Sequence, residues 1–101
     1  GCHKKERLYS QSFQERSINF VTMTEQQIQS KRIKELEAEG YYVLKLIKTN
    51  KNGIPDLVAI PSDCGVLFSE IKRPAGKLSR LQEYRLKELN QYGIRTEVYR
   101  G

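Results

Sequence analysis

The fold is decided by residues 53–72, GIPDLVAIPSDCGVLFSEIK. Residues 57–60 and 66–71 are apolar and rich in β-forming side chains, and the Pro-Ser-Asp-Cys-Gly run between them is typical of a turn. The pattern predicts an antiparallel hairpin centred on Asp63. Asp56 and Glu70 each lie seven residues from that centre. The hairpin therefore places the two carboxylates opposite each other, at roughly 5 Å.

A lysine joins the two carboxylates on the same face of the hairpin. Side chains alternate along a strand, so Lys72 points to the same face as Glu70. Apolar side chains continue that face away from the charges: Val58, Ile60, Val66 and Phe68. Two like charges this close repel each other unless something positive lies between them, and carboxylate oxygens are hard ligands that suit Mg²⁺ or Mn²⁺.

Two interpretations of these charges are open. In the functional one, Asp56 and Glu70 bind a divalent cation, and Lys72 orients or deprotonates an attacking water or neutralises charge on a phosphate. In the structural one, Asp56 is a turn residue that follows Pro55, while Glu70 and Lys72 form a surface ion pair. Short motifs match by chance, so the hairpin alone does not choose between them.

The residues before the hairpin predict a helix and a strand. Thr24 followed by Gln27 is a capping box for a helix that begins at Glu25 and stops at Gly40. Glu25 then lies at the end of the inward-facing stripe, from which it can reach the edge of the sheet. The alternative is that Glu25 only complements the helix dipole. Residues 41–48 are predicted to form the next strand.

A second helix and a last strand follow the hairpin. Ser79 with Gln82 repeats the capping-box pattern, and Gly93 ends the helix. Capping is thus an alternative explanation for Gln82. Residues 94–99 alternate and predict a strand. The order αβββαβ predicts an α/β fold of the α+β type, in which helices cover a mixed sheet.

These motifs, taken in order, resemble a known group of nucleases. Pro55-Asp56, then thirteen residues, then Glu70-Ile71-Lys72 resembles the motif of the PD-(D/E)xK nuclease superfamily. With the helix-borne Glu25 before it and residues 78–82 after it, the series is similar to the virus-type replication-repair nucleases, the VRR-Nuc branch. The similarity covers about residues 24–99 and implies a restriction-endonuclease-like core.

The resemblance implies a role for each motif residue. Asp56 and Glu70 would bind Mg²⁺ or Mn²⁺ together with the backbone carbonyl of Ile71, and Lys72 would be catalytic. Two further residues, Glu25 and Gln82, match the helix-borne acid and glutamine of the family.

The basic residues fit a nucleic-acid substrate. Eighteen Lys and Arg against twelve Asp and Glu give a net charge of +6, which favours a polyanionic partner. Arg73, Lys77 and Arg80 follow Lys72 closely and are predicted to bind DNA phosphates. The alternative is that they belong to a solvated loop and helix start.

Several classes of function are disfavoured by what the sequence lacks. The single histidine is His3, so a histidine base is poorly supported, and no Walker loop or dinucleotide fingerprint indicates a nucleotide cofactor. No apolar run predicts a membrane span, and the charged start of the chain is not typical of a signal peptide. Cys2 and Cys64 lack disulfide-framework or zinc spacing, which predicts reduced thiols. We therefore expect a cytoplasmic protein.

The sequence thus predicts a metal-dependent DNA endonuclease. Residues 23–101 form the nuclease domain, and residues 1–22 form an arm that either contributes to a dimer or is disordered. By resemblance we expect a homodimer that acts on branched DNA such as Holliday junctions, with no membrane partner. The alternative is a basic DNA-binding or assembly module that keeps the nuclease fold without turnover.

Overall fold

The structure is a computed structural model and describes residues 23–101; the predicted arm, residues 1–22, lies outside the described residues. The predicted element order αβββαβ is confirmed. In chain order the elements are α1 (Glu25–Ala38), β1 (Tyr42–Lys45), β2 (Leu57–Ile60), β3 (Leu67–Lys72), α2 (Arg80–Gln91) and β4 (Arg95–Arg100).

Both helices begin at the predicted capping boxes. The Thr24 hydroxyl accepts a hydrogen bond from the Gln27 N–H at 3.1 Å, and the Gln27 side chain accepts one from the Thr24 N–H at 2.9 Å. Ser79 and Gln82 exchange the same pair of bonds at the start of α2. Each helix therefore has its first free N–H groups satisfied by its own side chains.

The four strands form one mixed sheet in the order β1-β2-β3-β4. β1, β2 and β3 are consecutive antiparallel strands, of which β2 and β3 form the predicted hairpin, and β4 pairs with β3 in parallel after the α2 crossover. Leu57 pairs with Ser69 and Val58 pairs with Phe68. This is the register of a hairpin centred on Asp63, and the next position along it joins Asp56 to Glu70.

The hydrophobic core lies between α1 and one face of the sheet. Its buried members are Ile28 and Leu36 of α1, Leu57 and Ala59 of β2, and Leu67 and Ile71 of β3. Side chains alternate along β3, so Glu70 points away from this core toward the other face. The fold therefore presents the motif acid on the face that α1 does not fill.

A polar cluster ties α1 to β3 and β4 on the core side of the sheet. Arg32 donates two hydrogen bonds to Glu97, both at 2.9 Å, and the Ser69 hydroxyl donates to the same carboxylate at 2.6 Å. Arg32 also pairs with Glu35 at 3.0 Å and lies 4.6 Å from the centre of the Tyr99 ring. Bidentate arginine–carboxylate pairing fixes orientation as well as distance. The cluster thus holds α1 in one position against the strands.

Two predictions need correction. β1 ends at Lys45 rather than near residue 48, because the chain leaves the sheet into a turn built around Thr49 and Lys51. Cys64 is disulfide-bonded, so the prediction of a reduced thiol is wrong for this residue, while Cys2 lies outside the described residues.

Neither helix within residues 23–101 has the length and apolarity needed to span a membrane.

Candidate active site

Glu70 lies at the centre of the predicted site. Its side chain is only 3% exposed. Gln82 donates an amide hydrogen bond to Glu70 Oε2 at 3.2 Å, and the Lys72 ammonium lies 4.0 Å from the same oxygen. Within residues 23–101, Glu70 Oε1 is the buried side-chain oxygen left without a hydrogen-bond partner. A buried, unpaired carboxylate oxygen is costly in a folded protein and calls for a ligand or a proton.

The electrostatic surroundings keep a proton on Glu70. Burial away from water is the largest cause, followed by the negative charge of Asp56, and together they raise the pKa of Glu70 to about 8. The Lys72 charge lowers this pKa, whereas the charge of Glu25 raises it further. The carboxyl is therefore mostly neutral at pH 7 when no cation neutralises it.

Asp56 lies beside Glu70 at the start of β2. Its carboxylate accepts a hydrogen bond from the Ile71 N–H at 2.9 Å, and its backbone carbonyl accepts one from the Leu46 N–H at 2.8 Å. These bonds fix Asp56 between β1 and β3. The paired carboxylates give the oxygen-rich donor set that hard divalent cations prefer.

Glu70 and Lys72 do not lie at the surface, as the structural alternative assumes. Their side chains are 3% and 13% exposed and form a buried ion pair at 4.0 Å, so their catalytic role stays a prediction. Natural proteins rarely bury such groups without a specific partner. The lysine is held within the site, with part of its stem near Gly76 of the following loop.

The Gln82 side chain caps α2 and also bonds to Glu70, through different atoms. The Oε1 atom accepts the capping bond from the Ser79 N–H at 2.9 Å, while Nε2 donates to Glu70 at 3.2 Å. The cap therefore orients the amide toward Glu70. α2 begins at this point of the sheet, so its first turn is fixed to the site.

Glu25 lies at the outer limit of the site. It is exposed in the first turn of α1, where a negative charge also complements the helix dipole. Its charge contributes to the raised pKa of Glu70. Within the described part of the chain, no group of three His, Cys, Asp or Glu side chains is arranged to hold a metal ion. Glu25 thus does not form a three-acid cluster with Asp56 and Glu70.

The predicted DNA-binding residues lie next to the site but outside its buried part. Arg73, Lys77 and Arg80 are all exposed, in the loop after β3 and at the first position of α2. The loop is shaped by a turn in which the Gly76 N–H bonds to the Arg73 carbonyl at 2.8 Å. Their contact with DNA stays a prediction.

The sequence did not reveal the polar cluster that supports the site from behind. Ser69 is fully buried next to Glu70, and it bonds to Glu97, which also receives Arg32. The one indication of this cluster in the sequence is Arg32, a charged residue within the inward-facing stripe of α1. Its acidic partner comes from a strand 65 residues away, and local patterns do not identify such a partner.

The fold is a restriction-endonuclease-like α+β domain that brings two carboxyl groups and a lysine together at one place on the sheet. Comparison with protein families gives the narrower class. The chain belongs to the VRR-NUC domain family, whose profile matches residues 3–101. The match begins before the motif-based resemblance, which starts near residue 24. A comparison with curated proteins found no match. Family membership gives the chain a nuclease-type function with DNA as the substrate.

We predict that the raised pKa of Glu70 makes the metal-free protein less stable as pH rises. The unfolded chain loses this proton near the ordinary pKa of 4.5, whereas the folded chain keeps it to about 8. Between these values the folded state binds more protons, so stability falls with rising pH. Urea unfolding in chelator should show a loss on the order of 3 kcal/mol across this range.

Glu70→Gln should remove most of that pH dependence, because the amide does not titrate. Glu37→Gln, at an exposed position of α1, is the control and should keep the slope of the parent protein. Equal slopes for the Glu70 variant and the parent would contradict the assignment of the proton to Glu70.

We also predict that the two functions of Gln82 separate by mutation. Ser79→Ala should lower stability by about 1 kcal/mol through loss of the cap and leave DNA cleavage nearly unchanged. Gln82→Ala should lose similar stability but slow cleavage at least about tenfold, because it also removes the bond to Glu70. Thermal unfolding and single-turnover rates check this. A purely structural role would make the two variants alike in both measurements.

Proposed function

We propose that this protein is a metal-dependent endonuclease that hydrolyses phosphodiester bonds in DNA. The main support for this proposal is the buried Glu70 carboxyl beside Asp56, whose Oε1 oxygen has no hydrogen-bond partner within residues 23–101. Such a pair is expensive to ionise on its own and becomes favourable once a cation is shared. If the two carboxyl groups had only a structural role, uncharged residues could fill the same space without this electrostatic cost.

Asp56 and Glu70, with the backbone carbonyl of Ile71 as the resemblance implies, are the groups that would hold Mg²⁺ or Mn²⁺. The donors fit these ions because they are hard oxygens and because one buried oxygen, Glu70 Oε1, has no partner among residues 23–101. Such an ion supplies Lewis-acid polarisation of the phosphate and makes a bound water more acidic. The bond between Asp56 and the Ile71 N–H keeps the first carboxylate in place for this role.

Lys72 and Gln82 hold the reacting groups in position. The Lys72 ammonium, 4.0 Å from Glu70, orients or deprotonates the attacking water, or neutralises charge that develops on the phosphate. Gln82 fixes the Glu70 carboxylate from the side of α2. Glu25 contributes negative charge from the start of α1. A preorganised set of charges accelerates phosphoryl transfer without reorganising during the reaction.

We predict that either carboxylate variant abolishes cleavage while binding survives. Asp56→Asn and Glu70→Gln should show no cleavage in Mg²⁺ or Mn²⁺, yet bind DNA in Ca²⁺ because the basic surface is intact. Lys72→Ala should cut more slowly by roughly 100-fold, the reduction expected for one preorganised charge. Single-turnover cleavage and fluorescence anisotropy with the same labelled DNA give both quantities.

The control for these variants is Lys87→Ala, an exposed position in α2, which should cut at the parent rate. Cleavage by purified Asp56→Asn or Glu70→Gln at the parent rate would overturn the assignment of these two residues to the active site. Cleavage that persists in excess chelator would overturn the requirement for a metal ion. DNA binding with no cleavage under any metal would instead favour a binding module.

We propose further that the protein acts as a homodimer on branched DNA such as Holliday junctions. One chain carries one site, and two sites related by a twofold axis match the two symmetric strands of a four-way junction. The surface supports pairing, because apolar side chains remain exposed on one face of β1 and β2: Tyr42 at 67%, Leu44 at 43% and Ile60 at 37%. An apolar sheet face of this kind is typical of an interface.

We predict a dimer at micromolar concentration by light scattering, with faster cleavage of four-way junctions than of linear duplex of the same sequence. Tyr42→Lys should shift the chain toward monomer by placing a charge in the proposed interface. A monomeric parent protein that cuts both substrates equally would overturn this part of the proposal and leave the chemistry at Asp56 and Glu70 untouched.

A further inference from the structure

The β1–β2 loop, residues 46–56, combines features that the chemistry at Glu70 does not use. Ile47 is 86% exposed, and Lys48 and Lys51 are exposed beside it. From residue 41 to residue 55 the sequence holds three lysines and no acid. A single exposed isoleucine is ordinary on a protein surface. Here the exposed isoleucine lies beside lysines on a segment without acidic residues, so the loop offers both an apolar and a positively charged surface.

The loop is held firmly at several points. The Thr49 hydroxyl donates to the Lys51 carbonyl at 2.6 Å, which closes the turn. Arg85 of α2 donates to the Asn52 carbonyl at 2.8 Å. Gly53 has φ +81°, and a Cβ there would lie 2.7 Å from Leu81 Cγ, so only glycine lets the loop approach α2 this closely. The side chains of the loop are therefore presented by a fixed backbone.

The same bonds place the loop at the border of the active site. At its base, the Leu46 N–H bonds to the Asp56 carbonyl at 2.8 Å. Its anchors on α2, Leu81 and Arg85, lie on either side of Gln82, which bonds to Glu70. The loop is therefore held by the same parts of the fold that hold the two carboxyl groups: the backbone at Asp56, and the start of α2, which bonds to Glu70.

An open concavity follows the inner side of the loop. It has a volume of about 290 Å³ and is lined by residues 46–49 and 51–54. This volume is near the lower end of the range for ligand clefts, about 300 Å³. Two lysines and an exposed isoleucine at its rim offer charge for phosphates and an apolar surface for a sugar or base.

We propose that residues 46–54 form a second DNA-contacting element of this nuclease, resting on the proposed function above. Lys48 and Lys51 bind backbone phosphates next to the cleaved bond, and Ile47 packs against a sugar or base edge. The partner is a nucleic-acid strand, because the domain belongs to a nuclease family and a strand offers phosphates for the two lysines and apolar sugar and base surfaces for the isoleucine that precedes them. This element is separate from Arg73, Lys77 and Arg80, which follow β3.

The test measures DNA binding in Ca²⁺ over a series from about 50 to 200 mM salt. Lys48→Ala with Lys51→Ala should weaken binding roughly tenfold and make the slope of log affinity against log salt shallower by about 2, one for each phosphate that is no longer neutralised. Replacing both lysines by arginine should restore the slope, since the charges remain. The charge-matched control is Lys34→Ala with Lys87→Ala, at exposed positions of the two helices, and should keep the parent slope.

Ile47→Ser gives a different signature. Binding should weaken roughly tenfold because less apolar surface is buried against the DNA, while the salt slope stays that of the parent protein because both lysines still neutralise their phosphates. Tyr92→Ser is the control, since Tyr92 is 80% exposed at the far end of α2. Thermal unfolding verifies that all variants are folded.

The outcomes separate this proposal from the proposed function. If the parent protein cuts DNA but the double-alanine variant has the same salt slope as the parent, the proposed DNA contact of the loop is wrong, while the proposed function stands. An Ile47→Ser variant that binds like Tyr92→Ser would overturn the apolar contact. A parent protein that neither binds nor cuts DNA would overturn both.

Discussion

The structure is organised around a buried carboxyl that faces a second carboxylate. Glu70 lies in a central strand, nearly excluded from water, and Asp56 is opposite it in the hairpin. Burial and the charge of Asp56 together hold a proton on Glu70 to a pKa of about 8. Ionising it requires positive charge at this point, and the nearby Lys72 supplies only part of that charge. The proposed metal-dependent reaction therefore rests on the Glu70 oxygen that has no hydrogen-bond partner within residues 23–101.

The two helices support this pair from opposite faces of the sheet. On one face, Arg32 of α1 bonds to Glu97, and that carboxylate also receives the Ser69 hydroxyl, one residue before Glu70. On the other face, the first turn of α2 holds the Glu70 carboxylate through Gln82 and the β1–β2 loop through Arg85. A change in either helix would therefore move the acid. Such rigid support suits the catalytic role proposed for these groups, because phosphoryl transfer needs a narrow geometry.

The parts of this fold that depend on neighbouring residues could be predicted from the sequence. The capping boxes indicated both helix starts, and turn residues around Asp63 indicated the hairpin register that brings Asp56 to Glu70. Long-range pairing could not be predicted. The partner of Arg32 lies on the last strand, and the loop bond with Arg85 spans 33 residues. The sequence also could not show that one amide, Gln82, both caps α2 and bonds to Glu70, because a local pattern offers these only as competing explanations.

Glu70 is protonated at neutral pH when no cation is bound, and we propose that it releases this proton when a cation binds. Calorimetry of Mg²⁺ or Mn²⁺ binding at pH 7, repeated in buffers of different ionisation enthalpy, measures the protons released per ion. A pKa of about 8 predicts release close to one proton per ion, falling toward zero above about pH 9. Glu70→Gln should abolish it. Metal binding without proton release at pH 7, or with release unchanged in Glu70→Gln, would contradict the account.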